Sequence, residues 1–212
     1  MARISWGVGS GRRYDQGLDQ GVLYLPGYSG IHWPGLISVK QAPETFGTKT
    51  HYLDGIKYAN YSSVEEFAAT IDAYGAPWQF DGCLGLRQVK SGLFLTDERP
   101  DTFDLSYRTK VRTPAGVETF KIHLVYNAQV KPSARSHTTK GSSLKPTRLS
   151  LPISTINVEM PGYRPTSYLT LDEKRTDPTR LASVLDILYG TDEEDARMPS
   201  IKEMVDLFEM AP

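Results

Sequence analysis

Alternating apolar and polar positions are clearest at residues 103–127, where the sequence reads FDLSYRTKVRTPAGVETFKIHLVYN. Apolar side chains occupy every second position over 103–111 and again over 120–126. A period of two predicts strands, and two such strands around the Thr-Pro-Ala-Gly sequence at 113–116 predict an antiparallel hairpin. An isolated hairpin is only marginally stable, so this one is expected to belong to a larger sheet.

The spacing of the two runs also predicts how they pair. A four-residue loop at 113–116 places Phe103 opposite Tyr126 and Leu105 opposite Leu124. Every pair on that face is then apolar or nearly so, whereas a slip of one residue would mix apolar and charged positions. The hairpin is therefore predicted to have one dry face against the core and one polar face.

The polar face of the hairpin is basic. It carries Arg108, Lys110, Arg112, Lys121 and His123, and the predicted register places Arg108 opposite Lys121. Like charges that face each other across a ladder are unfavourable. This face is therefore either solvated, with its side chains splayed, or covered by an acidic surface or a phosphate backbone. His123 is expected to be a hydrogen-bonding histidine on the surface.

Shorter runs predict further strands at 21–25, 36–41, 50–53, 56–59, 93–95, 149–158 and 166–171. The Asp-Gly pair at 54–55 is typical of a hairpin turn, and the His-Trp-Pro-Gly sequence at 32–35 predicts an aromatic-packed turn. Residues 62–74 fit a helix or a strand, and we favour a capped turn at 62–66 followed by a strand at 67–74.

Two helices are predicted near the C-terminus. Asp177 is a candidate N-cap with Pro178 at the first helical position, and Gly190 ends that helix. A second helix begins at Ser200, and Glu203 completes its capping box.

The chain is predicted to be one domain over 1–212, because 212 residues with 39% hydrophobic content suit a single core. This domain is predicted to include an extended N-terminal arm at 1–20, a long basic loop at 128–148 and a helical segment at 177–210.

The net charge of −1 gives the protein no overall electrostatic attraction to nucleic acid or to a membrane. No apolar run approaches a membrane span, and no signal core precedes the domain, so synthesis in a reducing cytoplasm is expected.

Chemical motifs are scarce. The glycines at 7–11 lack the spacing of a phosphate-binding loop, and the four histidines form no zinc motif. Cys83 is the only cysteine and is expected to be a buried small hydrophobe. The acidic run at 192–195 predicts a solvated loop rather than a calcium site. We therefore expect no enzyme activity, no cofactor and no metal, although a catalytic site could still be assembled from dispersed residues.

Several segments resemble major tail proteins of long-tailed phages that infect actinobacteria. They are ISW at 4–6, YDQGLDQGVLY at 14–24, LSYRT at 105–109, KIHLVYNA at 121–128, PGYRPT at 161–166 and DILYGT at 186–191, followed by Leu207 and Phe208. The resemblance runs from about residue 4 to residue 209.

The resemblance implies a phage tail-tube fold: mainly β with C-terminal helices, two packed antiparallel sheets in a sandwich or partial barrel, and a flanking helix. It implies a structural virion protein assembled in the host cytoplasm, whose hexameric rings stack into the tail tube of a siphovirus. Such a tube encloses the tape-measure protein, meets terminator and distal-tail proteins at its ends, and conducts DNA during ejection without specific binding.

From this resemblance and the charge pattern we expect two kinds of subunit contact. The hairpin at 103–127 would complete its open edges with copies of itself. The basic loop and the arm would meet the acidic segment at 191–209 of neighbours. The basic side chains of the hairpin are expected to be paired with acids or to point away from the channel, because a lumen that releases DNA should not bind phosphates tightly. The candidate interface residues are Tyr14, Arg108, Lys110, Lys121, Lys131, Arg135, Lys140, Asp192 and Glu193.

Three alternatives stay open. A tail terminator, neck or distal-tail ring protein would share the fold but form a single ring. A monomeric carbohydrate-binding module would need an exposed aromatic platform, for which Trp33, Trp78 and Tyr74 are candidates. An enzyme is the third.

Overall fold

The computed structural model describes residues 13–42, 49–53, 56–61, 67–96, 98–114, 116–133, 146, 148–160 and 162–209. Its strands are β1 (Tyr14–Tyr24), β2 (Ile31–His32), β3 (Leu36–Gln41), β4 (Lys49–Leu53), β5 (Ile56–Tyr61), β6 (Ala68–Ala73), β7 (Arg87–Lys90), β8 (Leu93–Leu95), β9 (Phe103–Arg112), β10 (Glu118–Val130), β11 (Leu149–Thr155) and β12 (Tyr168–Asp172). The helices are α1 (Pro178–Tyr189) and α2 (Ile201–Glu209), with 3-10 helices at Trp78–Leu84 and Glu173–Arg175.

Eight of these strands form one antiparallel sheet that folds back on itself into two layers. The first layer has the order β2–β1–β9–β10–β12, and the second has the order β11–β6–β3. Strand β10 joins them, because its residues 121–125 pair with β12 and its residues 128–130 pair with β11. The partner changes at a bulge that contains Asn127, whose φ is 49°.

The layers close toward a partial barrel where β1 approaches β3. The Trp33 backbone N–H donates to the Gly21 carbonyl at 2.9 Å, and a Cβ atom on Gly21 would lie only 2.5 Å from Leu36 Cδ2. Glycine permits this close approach. The predicted fold class, mainly β with two packed antiparallel sheets and C-terminal helices, is confirmed.

The main core lies between the two layers. Trp33 is 1% exposed, its ring lies 4.9 Å from that of Phe80, and its Nε1 donates to the Gly75 carbonyl at 2.8 Å. The predicted aromatic-packed turn is therefore confirmed. The other large buried members of this core are Leu23, Ile71, Phe103, Leu105, Tyr107, Val125, Leu151 and Ile153.

A second core lies on the outer face of the first layer, under the helices. Ile122, Leu124 and Tyr126 of β10 and Val22 and Tyr24 of β1 pack against α1 and α2. The helix side chains buried there are Val184, Leu188, Ile201 and Met204. The Tyr24 hydroxyl donates to the Leu188 carbonyl at 2.8 Å and lies 3.1 Å from Ser106 Oγ, which fixes α1 to the sheet.

Both predicted helix starts are confirmed. The Asp177 carboxylate accepts hydrogen bonds from the backbone of residues 179 and 180, with Pro178 in the first turn. Ser200 Oγ accepts from the Glu203 backbone N–H at 3.1 Å, and Glu203 Oε2 accepts from the Ser200 backbone at 3.4 Å. This reciprocal pair satisfies donors that the helix itself leaves unbonded.

The predicted hairpin exists, but its register was wrong by one residue. Val125 lies opposite Leu105 and Ile122 lies opposite Arg108. The loop has three residues rather than four, because Thr113 and Val117 bond to each other across it and Gly116 adopts a φ of 82°.

The correct register distributes the apolar residues of the hairpin over both faces. The apolar side chains of β9 face the core between the layers, and those of β10 at even positions face the helices. There is consequently no single dry face, and Arg108 does not face Lys121.

Two expectations about chain edges are also wrong. Residues 14–20 belong to strand β1 rather than to an extended arm, and they pair with residues 108–112 of β9. With β1 on one side and β11 and β12 on the other, both edges of the hairpin are satisfied within one chain. The hairpin therefore does not need sister chains to complete its hydrogen bonding.

The remaining elements follow the sequence with shifted ends. Strand β6 confirms the extended interpretation of residues 67–74, while residues 62–66 lie outside the described residues. Strand β10 continues to Val130, which shortens the predicted loop at 128–148, and Trp78–Leu84, for which no element was predicted, form a 3-10 helix. Most of the basic loop lies outside the described residues.

Candidate assembly surfaces

The cations of the hairpin are paired with acids from β1. Arg108 donates from Nε and Nη2 to the two carboxylate oxygens of Asp19 at 2.7 and 2.8 Å, and Lys110 Nζ lies 3.4 Å from Asp19. Lys121 Nζ donates to Asp15 at 3.2 Å. The expectation that Arg108, Lys110 and Lys121 are paired with acids is confirmed, and the pairs leave little free charge to attract a phosphate.

The bidentate pair is the strongest electrostatic contact of this surface. Hydrogen bonding to Arg108 lowers the pKa of Asp19 below its ordinary value, and the same contact raises the pKa of Arg108. The Arg108 guanidinium also lies 4.9 Å from the ring centroid of Phe120. It is therefore held on three sides, by a carboxylate, an aromatic ring and the sheet.

Replacement of Asp19 by asparagine is expected to reduce the free energy of unfolding by about 1–3 kcal/mol, because it leaves a half-buried guanidinium without its charged partner. Urea unfolding at pH 7 measures this change. Glu118→Gln is the matched control, since it breaks the more exposed Arg112–Glu118 pair at 2.8 Å, where less than about 1 kcal/mol is expected. Equal losses in the two variants would contradict this interpretation.

His123 lies in a buried cluster of aromatic and hydroxyl side chains, so the prediction of a surface histidine is wrong. It is 8% exposed and points between the layers, with Tyr107 stacked at 4.7 Å and Tyr168 at 5.9 Å. Its Nε2 lies 2.8 Å from Thr109 Oγ1, and its Nδ1 contacts the Tyr168 hydroxyl. Burial, with a contribution from nearby Lys121, lowers the pKa of His123 to about 4.

The most exposed apolar side chains belong to a small hairpin, β7–β8. All seven residues of the two strands are exposed, including Val89, Leu93, Phe94 and Leu95. Strands β7 and β8 pair only with each other within the described residues. A two-stranded hairpin with both faces in water is marginal by itself, and a cluster of exposed apolar side chains marks a site of interaction.

Beside this hairpin lies a cleft of about 710 Å³, which we call the aromatic cleft. Its walls include the rings of Tyr28, Trp78 and Phe94, which are 53%, 71% and 43% exposed. Asp81 and Asp101 also line it, and no Lys, Arg or His does. The surface therefore offers aromatic rings and negative charge at the same place.

The other candidate interface residues lie at separate places. Tyr14 is exposed at the start of β1, Lys131 is half-buried just after β10, and Asp192 and Glu193 are exposed in the loop between the helices. Arg135 and Lys140 lie outside the described residues. Tyr14 lies opposite the hairpin cation Arg112, whereas Lys131, Asp192 and Glu193 are not among the acids and partners that contact the described hairpin cations.

The lone cysteine lies in the main core. Cys83 is buried as predicted, and burial raises the pKa of its thiol to about 12. Among the described residues, no three His, Cys, Asp or Glu side chains meet as a metal ion would require. Within the same ranges no helix is long and apolar enough to cross a membrane. Of the proposed aromatic platform, Trp33 is buried, whereas Trp78 and Tyr74 are exposed.

The sequence analysis missed the exposure of β7–β8 and the aromatic cleft. Residues 93–95 are three consecutive apolar residues with no alternation, a pattern that is compatible with a buried strand as much as with an exposed one. The signal that could have favoured exposure is the flanking sequence RQVKSG, in which polar residues surround a single valine.

Comparisons with known proteins add little. No family model matches the sequence, and no curated protein matches it. Among solved structures, a chain in the six-fold symmetrised cryo-EM structure of the anti-feeding prophage baseplate aligns over 79% of this chain and 97% of its own length. The two are 13% identical with a TM-score of 0.36, and we base no conclusion on similarity at that level.

Proposed function

We propose that this chain is a structural subunit of a phage tail tube, in which copies form hexameric rings and the rings stack around the tape-measure protein. The resemblance of residues 4–209 to major tail proteins of actinobacteriophages supports this role. So does a fold in which the sheet is covered by helices on one side and by a second layer on the other. We propose no catalytic role and no resident cofactor.

The observation that carries the proposal is the exposed hairpin β7–β8 beside the aromatic cleft. In a monomer, the exposure of these seven hairpin residues, four of them large and apolar, contributes nothing to stability. In an assembly the same side chains are removed from water, at roughly 25 cal/mol for each Å² of apolar surface buried. The hairpin is thus an exposed apolar surface that a neighbouring subunit would bury.

The paired cations of the first layer support the passage of DNA through such a tube. Each phosphate that a protein neutralises releases counterions, and several contacts together bind DNA tightly. Arg108, Lys110 and Lys121 are already neutralised by acids of the same chain. A subunit whose described hairpin cations are neutralised in this way would not hold DNA through them.

The hairpin at 103–127 does not offer open strand edges to a neighbouring subunit, because β1 on one side and β11 and β12 on the other pair with it within the chain. In the described part of the main sheet, β2, β3, β12 and the first part of β1 each have an edge that is left unpaired. An Ile122→Pro substitution would place a proline in the middle of a strand that is paired on both sides, with β9 and with β12, where proline is not tolerated. It would unfold the subunit and report nothing on assembly.

Negative-stain electron microscopy of the purified full-length protein tests the proposal. Tubes of stacked rings are the expected result. A protein that stays monomeric at high concentration would overturn it. Single rings that never stack would favour the alternative, a terminator, neck or distal-tail ring protein, which the copy number per virion also distinguishes.

The basic loop provides a separate prediction. Residues 128–148 carry five Lys and Arg and no acid, whereas 191–209 carry seven acids against Arg197 and Lys202. Deletion of 131–146 is expected to reduce tube formation and make the remaining assembly less sensitive to salt, because surface charges are screened beyond about 8–10 Å at physiological ionic strength. Light scattering across a salt series measures both effects. Unchanged assembly of the deletion variant would exclude a contact through this loop.

A further inference from the structure

The aromatic cleft carries negative charge that the described part of the chain does not balance. Asp81 and Asp101 line it beside the rings of Tyr28, Trp78 and Phe94, and no basic side chain lines it. None of the ion pairs among the described residues involves either aspartate. A partner that fits this surface therefore brings an aromatic ring and a cation together, because arginine packs on aromatic rings and also pairs with carboxylates.

One exposed pair of residues on this chain has that chemistry. Outside the cleft and β7–β8, the large apolar side chains that are exposed within the described residues are Tyr14, Tyr74, Val117, Ile156 and Tyr163. Of these, Tyr163 is next to Arg164, which is exposed and forms no ion pair within the described ranges. Tyr14 is next to Arg13, but that guanidinium lies 3.9 Å from Asp172. The other three have no Lys or Arg beside them in the sequence.

Residues 162–165, which we call the tyrosine–arginine turn, lie at the tip of the connection between β11 and β12. The Tyr163 backbone N–H donates to the Met160 carbonyl at 3.1 Å. Val158 and Thr166 pair with each other and close the base of the turn. All four residues of the turn are exposed. Its backbone is therefore held by the fold while its side chains reach solvent.

The cleft and the turn are attached to the same end of the first layer, on opposite sides of β9. The cleft is lined by Leu25 and Thr102, which directly follow β1 and directly precede β9. The connection that carries the turn begins beside β10, where the Ile156 backbone N–H donates to the Asn127 carbonyl at 3.2 Å. The Asn127 backbone N–H donates in turn to Asp104, near the start of β9, at 2.7 Å. Since β1 and β10 flank β9, a contact between these two surfaces places copies side by side, as in a ring.

We infer that the aromatic cleft of one subunit receives the tyrosine–arginine turn of a second copy of the chain. Tyr163 packs among the rings of the cleft, and Arg164 pairs with Asp81 and Asp101. Neither Tyr163 nor Arg164 lines the cleft of its own chain. This inference rests on the proposed function and specifies the contact between neighbours within one ring. The contact removes exposed aromatic rings from water and supplies the cation that the two aspartates lack.

A charge exchange tests the contact in the full-length protein. Arg164→Glu and Asp101→Arg, each made alone, are expected to raise the concentration at which assemblies form at least about tenfold, because each places like charges against each other. Combined in one chain, they restore opposite charges at every contact and should return that concentration to within about threefold of the parent value. Sedimentation velocity over a concentration series measures the effect. Lys174→Glu, an exposed charge reversal at the other end of β12, is the matched control and should leave assembly unchanged.

Cysteine cross-linking identifies the two surfaces directly. Two kinds of chain carry Cys83→Ala and, in addition, either Pro165→Cys in the turn or Gln88→Cys in the cleft. When they are mixed and co-assembled, a product that joins the two kinds is expected. In the control, Ala182→Cys on the exposed side of α1 replaces Pro165→Cys and should give no product with Gln88→Cys. Thermal unfolding of each isolated subunit should stay close to that of the parent, because the changed surface positions are exposed.

The outcomes separate this inference from the proposed function. Tubes that form normally from Arg164→Glu chains, with no cross-link between Pro165→Cys and Gln88→Cys, overturn the inference and leave the tail-tube role standing. Losses that the combined exchange does not restore assign the cleft and the turn to separate contacts, which also overturns it. Single rings that show both the rescue and the cross-link support the inference and overturn the tube. Protein that forms neither tubes nor rings overturns both.

Discussion

Lowering the pH from 7 to 4 is expected to reduce the free energy of unfolding by about 3 kcal/mol through His123 alone. Burial lowers the pKa of this histidine to about 4, whereas an unfolded histidine titrates near 6.5. Between these values the unfolded chain binds a proton that the folded chain excludes. The contribution of His123 to the free energy of unfolding is therefore fully present above pH 6.5. It declines as the pH falls toward 4 and changes little below that.

This window separates His123 from the carboxylates. Asp19, Asp72 and Glu203 have lowered pKa values because each accepts hydrogen bonds from a cation, first from Arg108, Lys40 and Arg197 respectively. Their contributions are lost below about pH 4.5, where unfolded carboxylates begin to take up protons. A decline that begins near pH 6.5 consequently reports the histidine.

Urea unfolding at half-unit steps between pH 7 and pH 4 measures the effect. His123→Gln is the informative variant, because an amide can keep hydrogen bonds to Thr109 and Tyr168 without titrating. Its unfolding free energy is expected to be nearly constant from pH 6.5 to pH 5. His32→Gln, at an exposed position, is the control and should retain the slope of the parent protein. A parent protein with equal stability at pH 7 and pH 5 would contradict the prediction.

The burial of His123 shows where sequence patterns stop being informative. Alternation predicts that neighbouring residues face opposite sides, and it does so correctly for β9 and β10. It does not say whether the second side meets water or another layer. Here α1 and α2 cover one face and the strands β11, β6 and β3 cover the other. A polar residue in the alternation can then be buried among hydroxyls.

The register depended on one loop residue. A Pro-Ala-Gly loop of three residues with Gly116 at positive φ and a four-residue loop are both compatible with the sequence. The two loops shift the register of the hairpin by one residue. Such a shift changes which residues of the two strands lie on the same face. Because both faces are buried, the hydrophobic pattern alone does not decide between the two registers.

The long strand β1 was missed because its alternation is interrupted twice. The pairing with β9 shifts between residues 15 and 18 and again between 19 and 22, where Gly17 and Gln20 have φ values of 76° and 49°. Each bulge adds a residue and moves the following side chains to the other face. The helices, by contrast, were predicted well, since Ser200, Glu203 and Asp177 act within one turn of the chain.

The candidate assembly surface was predictable only in part. We expected the hairpin cations to be paired with acids because a lumen that releases DNA should not bind phosphates tightly, and the structure shows these pairs. The aromatic cleft combines residues from three distant stretches, near 28, 78 and 94, and no local pattern predicts that they meet. Whether an apolar triplet such as residues 93–95 is buried depends on the rest of the fold.

Replacement of Phe94 by aspartate is expected to abolish tube formation while leaving the subunit folded. Phe94 lies on both the exposed hairpin β7–β8 and the wall of the aromatic cleft, and it is 43% exposed in the isolated chain. Inside an interface the carboxylate would be removed from water beside Asp81 and Asp101 without a cation among the lining residues. Truncation of a central interface aromatic alone costs about 2–4 kcal/mol, and a buried unpaired charge adds to this.

Sedimentation velocity and negative-stain microscopy measure the loss of assembly, and thermal unfolding measures the fold. The melting temperature of Phe94→Asp should stay close to that of the parent, because surface substitutions usually change stability by no more than about 0.5 kcal/mol. Ile156→Asp is the matched control: Ile156 is 61% exposed but lies outside the hairpin and the cleft. Tubes from Phe94→Asp, or equal losses in the two variants, would show that β7–β8 is not the surface that neighbouring subunits cover.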